Sequence, residues 1–103
     1  MSNVPNSKVS PAEREALLRL LKVASSDTGQ SRRVANFLLA WWNAEDCGKF
    51  DITDAWGLDT EIADDMITVF ALAVRSNSYP DTLGFADEFK KVVRVWRADL
   101  AKA

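Results

Sequence analysis

The amino-acid sequence predicts an all-α protein, a compact bundle of four main helices with a short helical turn in the connector over residues 49–59. Three observations carry this prediction. Apolar residues recur at three- and four-residue spacing in four separate stretches. Each stretch is bounded by residues that cap or break helices. No run alternates long enough to make a strand, since Val92-Val93 lies inside a helical period and Phe50 to Thr53 is short and bounded by Asp51 and Asp54. A chain of 103 residues has room for one domain. Residues 1–9, polar and interrupted by Pro5, read as a flexible tail, and residues 10–103 as a single helical domain.

The first helix is announced by Ser10 as cap, Pro11 at the first helical position and Glu13 completing a capping box. Leu17, Leu20, Leu21 and Ala24 form its apolar face, and it ends near Ser25-Ser26. A second helix opens at Asp27 or Thr28 and runs to about Asp46, with Gly48 as its stop. From Val34 to Trp42 it is apolar on nearly every side, the pattern of a helix central to the domain or shared with a partner. Trp41 should continue Val34, Phe37 and Leu38 inward. Trp42, about 100° away on the wheel, must be covered by the connector or stand at the surface as an interface anchor.

The connector holds Phe50, Ile52, Trp56 and Leu58, too apolar for a solvated loop, with Asp51 placed to cap a short turn that Gly57 stops. A third helix follows Asp59-Thr60 to about Ser76. Ile62, Met66, Val69, Phe70 and Ala73 make its stripe, widened by Ile67, Leu72 and Val74. Pro80 marks the turn that follows. The last helix starts near Gly84 or Phe85, with Phe85, Phe89, Val92, Val93, Trp96 and Leu100 on one face and a solvated charged face opposite. There Asp87 should pair with Lys90 and Lys91, and Glu88 with Lys91.

Several chemistries are excluded by what the chain lacks. It has no histidine, hence neither the commonest general base nor the imidazole metal ligand, and its single cysteine, Cys47, cannot form an internal disulfide. Its four glycines stand singly at helix ends, so there is no glycine-rich phosphate loop. No enzyme, metal or cofactor is expected. The polar N-terminus and the lone thiol point to the cytoplasm, and no apolar run approaches the roughly 20 residues of a membrane span.

Charge is uneven: Lys8 to Arg33 carries a net +3, Glu45 to Asp65 a net −7, and Arg75 to Lys102 a net +2. The acidic stretch matches no calcium loop. Helix capping and solvation explain most of it, and a docking surface is the functional alternative. The candidate partner-binding residues are therefore Trp42, Asp51, Asp54, Trp56, Asp64 and Asp65. Arg32 and Arg33 open the second helix against its dipole and call for a neighbouring carboxylate, such as Asp27 or one from the acidic middle. With Lys90 and Arg94, in a basic strip that runs to Arg97, they are the candidates for the rival reading, phosphate contact in a nucleic-acid binder. A third reading makes the −7 segment a polyanion mimic.

The blocks Thr28-Gly29-Gln30-Ser31, Ala35 to Glu45, Phe50-Asp51, Thr53-Asp54, Asp64-Asp65 and Tyr79 to Gly84 resemble a family of small uncharacterised bacterial proteins associated with plasmids and integrated mobile elements. The resemblance implies that setting and no catalytic residue. The reading that leads is a non-catalytic interaction or regulatory module with an unidentified protein partner. A small domain surrounds one helix apolar on most sides more easily than two, so a symmetric homodimer is expected, the alternative being that the connector and flanking helices cover both.

Overall fold

A computed structural model describes residues 8–101. Its helices are α1 (Pro11–Ala24), α2 (Gly29–Cys47), α3 (Thr60–Ser76), α4 (Ala86–Trp96) and the single turn α5 (Ala98–Ala101), with a 3-10 turn at Ile52–Gly57. No strand occurs among the described residues. The expectation of a flexible tail falls mostly on residues outside those described. Its last two residues are bound to the body: Lys8 Nζ donates to Ser78 Oγ at 3.2 Å, and Val9 packs on the core.

α1 is the hub, lying against α2, α3 and α4. Its start is fixed by a complete capping box: Glu13 N–H donates to Ser10 Oγ at 3.1 Å and Ser10 N–H to Glu13 Oε1 at 2.9 Å. Ala16, Leu17, Leu20, Leu21 and Ala24 are buried. They meet Val34, Ala35, Leu38 and Leu39 of α2, and Phe85, Phe89 and Val92 at α4, in one continuous core. Thr28 caps α2, accepting from Ser31 N–H at 3.0 Å.

Three elements depart from the sequence reading. α2 breaks its helical geometry at Asn43 (φ −166°, ψ 84°). The Asn43 side chain recaps the last turn, accepting from Asp46 N–H at 3.2 Å and donating to Asp46 Oδ2 at 3.1 Å, the local competition with backbone that short amides offer. The last helix does not reach Leu100, because Arg97 (φ −140°, ψ 58°) interrupts it. α3 keeps most of the expected stripe, with Met66 and Val69 buried and Ile62 and Ala73 half-buried, but Leu72 and Ser76 are buried and Phe70 is 59% exposed. Ile67, Phe70 and Val74 thus face outward.

Candidate interaction surface

Because α2 and α3 each lie along α1 rather than along each other, they diverge above it. The space between them is a groove of about 540 Å³ lined by aliphatic and aromatic residues alone. α2 supplies Phe37, Ala40 and Trp41, α3 supplies Ala63, Met66, Ile67, Phe70 and Ala73, and the connector closes one end with Phe50, Ile52 and Ala55. Phe50 is pinned edge-on to Phe37 at 5.4 Å between ring centroids. Beyond it Ile52 is 77% exposed, and on the outer wall Ile67 is 67% and Val74 64% exposed. Scattered apolar residues are ordinary on any surface, but a contiguous apolar groove with open lips marks a place where something docks.

The tryptophan pair resolves differently from either expectation for Trp42. The ring that covers it comes from α4 and not from the connector: Trp42 stacks on Phe89 at 5.7 Å and 18°. Trp41 meets the same Phe89 edge-on at 5.8 Å, and its indole N–H donates to Ser78 C=O at 3.0 Å. One phenyl ring thus serves both indoles. Trp42 remains half-buried, bordering shallow hollows beside Tyr79 and beside Leu100. Trp56 stands out of the 3-10 turn at 85% exposure.

The carboxylates of the acidic middle do not converge. Asp51 caps the 3-10 turn, accepting from Thr53 Oγ1 at 2.8 Å and Thr53 N–H at 3.0 Å, and these bonds hold its carboxyl below the usual range. Asp59 occupies the cap position of α3 but makes no side-chain cap. It exchanges hydrogen bonds with Gln30 instead, its N–H donating to Gln30 Oε1 at 2.7 Å. Asp65 takes the Arg19 guanidinium on both oxygens, at 2.8 and 2.9 Å. Asp54 is half-buried and Asp64 exposed, neither with a hydrogen-bond or ion-pair partner among the described residues. No group of three or more Asp, Glu or Cys side chains comes together there as an ion site.

The basic candidates are likewise dispersed. Arg32 is exposed, and neither it nor Arg33 meets a carboxylate among the described residues, contrary to the expected ion pair. The Arg33 guanidinium lies across the connector at Gly57, and its Nε is buried without a hydrogen-bond partner there. Lys90 and Arg94 are exposed beside Trp42 and Asp46, about 15 Å of helix away along α2. The pairs expected of Asp87 and Glu88 with Lys90 and Lys91 do not form within 4.0 Å.

Arg97, counted with the basic strip in the sequence, turns inward. Its Nε donates to Cys47 C=O at 3.0 Å, one Nη to Asn36 Oδ1 at 2.8 Å and the other to Trp96 C=O at 3.0 Å. It satisfies a carbonyl at the end of α2, a role its position just past a helix could have suggested. Cys47 is buried beside it, and burial pushes the thiol up, away from the reactive thiolate.

Fold and surface together define a small all-α module with an apolar cleft. The family of unknown function DUF7673 matches residues 14–97, and the chain belongs to it. No curated protein and no solved structure shows a significant match. No helix among the described residues is long and apolar enough to cross a membrane.

Proposed function

We propose that the protein is a non-catalytic interaction module, with the α2–α3 groove and its connector lip as the docking surface. The observation that carries the reading is the aliphatic and aromatic lining of that groove beside the exposed Ile67, Phe70 and Ile52. Burying such surface is the main favourable term in association, and Asp51, next to Ile52 on the lip, adds charge that favours some partners over others. The sequence resemblance adds a setting to this proposal, a bacterial cytoplasm and a mobile genetic element. Phosphate contact is the weaker reading, since Arg32 and Arg33 lie far along α2 from Lys90 and Arg94 and do not form one basic face.

Affinity capture with the tagged protein from nuclease-treated bacterial lysate tests the proposal, comparing wild type with Ile52→Asp. Wild type should retain protein, which includes untagged copies of the chain itself, and Ile52→Asp should lose most of it. Retention of DNA or RNA alone before nuclease, with nothing after it, sinks the proposal and moves the site to the arginines.

A further inference from the structure

The groove has two walls, and one of them is itself an exposed ridge. Along α3, Ala63, Ile67, Phe70 and Val74 follow one another at spacings of four, three and four, the seam of a helix that packs lengthwise against another helix. Ile67, Phe70 and Val74 project from this seam, and the small Ala71 beside it allows close approach. A surface that offers ridge and groove in one patch is complementary to itself, the condition of a two-fold interface.

Resting on the docking reading above, we propose that the occupant of the groove is α3 of a second copy of the chain. It lies antiparallel about a two-fold axis passing close to Phe70 and Ala71. Two further observations support this choice. The first is charge. The first half of α3 and its cap carry Asp59, Glu61, Asp64 and Asp65, whereas the second half carries Arg75 and no carboxylate. A parallel pair would set carboxylates against carboxylates. The antiparallel pair sets each acidic half beside the other copy's carboxylate-free half, whose Arg75 is already paired with Glu13 of its own chain, and it opposes the helix dipoles favourably. The second is area. Ile52, Ile67, Phe70 and Val74 expose on the order of 500 Å² per copy, so a symmetric pair removes about 1,000 Å², the lower bound for a specific interface. Trp56 stands outside the groove lining and plays no part.

The test is sedimentation velocity on the purified chain up to about 100 μM, because an interface at this lower bound should dissociate in the micromolar range. The expected result is a species of twice the 11.5 kDa chain mass. Phe70→Asp and, independently, Ile67→Asp should weaken it at least about tenfold with the far-ultraviolet helix signal kept, while Trp56→Ala leaves it unchanged. Ala71→Cys, close to the axis, should oxidise to a disulfide-linked dimer, and Glu61→Cys, far from it, should not. A single-chain mass at the highest concentration overturns the proposal. So does a dimer indifferent to both α3 variants, or self-linking of Glu61→Cys in preference to Ala71→Cys. A monomeric chain that still loses captured partners on Ile52→Asp would overturn the second-copy occupant and leave the docking reading standing.

Discussion

α2 and α3 are comparably apolar in sequence, yet the fold treats them differently. α2 is enclosed: Val34, Ala35, Phe37, Leu38 and Leu39 are all buried, with α1 on one side and α4 on another. α3 has α1 alone as its main helical neighbour, and only Met66, Val69, Leu72 and Ser76 are buried. A helix that is apolar all round is stable in water only when other surfaces cover it. Within this chain α1 and α4 suffice for one such helix and not for two. The difference teaches that apolar content fixes how much surface must be covered and says little about which molecule covers it.

The sharpest way to break that contrast is to delete a ring that covers α2, Phe89 of α4, and a ring that stands on α3. Phe89→Ala should cost about 3–5 kcal/mol in a urea titration, because the ring is fully buried and carries the contacts of both Trp41 and Trp42. Phe70→Ala, measured at dilution, should cost less than about 1 kcal/mol. Equal costs would mean that α3 is covered within the monomer after all. A smaller effect, about 1–3 kcal/mol, is expected for Arg97→Met, which keeps the stem and removes three hydrogen bonds, one to the carbonyl that ends α2. Amide exchange should then quicken at the end of α2 and leave α3 unchanged.

The smallest effect concerns Glu13, where the start of α1 meets the end of α3. Its carboxyl is held below the usual range first by the Ser10 N–H and then by Arg75 of α3. A depressed carboxyl stabilises the fold above its unfolded-state value, and that contribution is lost as pH falls through the folded-state value. Glu13→Gln should therefore lower stability by about 1 kcal/mol at neutral pH and by progressively less as the solution is acidified below the unfolded carboxyl's value. A constant difference across the acid range would show that the charge plays no part.

Much of the bundle was legible because its signals are local. The Ser10–Glu13 box, Thr28, Asn77-to-Asp81 and the apolar face of α4 are written in short stretches, and the helices begin and end close to them. The inward stripe of α3 was legible at Ile62, Met66, Val69 and Ala73, but Phe70 was not. It borders a second apolar face with Ala63, Ile67 and Val74, and periodicity does not assign a residue that lies between two apolar faces. The choice is made by where α1 runs. Arg97 was misread for a related reason, since a count of charges cannot see that the chain breaks there and turns the guanidinium onto Cys47. The groove follows from packing, and its lining residues carry, in the sequence, the same signal as core residues, so nothing in the sequence sets them apart as Trp42 and the carboxylates are set apart. Asn43 is legible in principle: Asn-Ala-Glu-Asp is a capping pattern, masked by the apolar helix that surrounds it.

Gly57 and Arg33 are joined by a relation of pure volume. A Cβ at position 57 would fall 1.2 Å from Arg33 Nη1, and the three atoms nearest to it all belong to that guanidinium. Adding a methyl there displaces a positive charge first. The two positions, distant in the chain, thus behave as one setting of the molecule's electrostatic face: glycine lets the charge lie down over the connector, and any larger residue makes it stand up into solvent. Relatives that differ at 57 would share this backbone and still present a different potential to whatever approaches the start of α2.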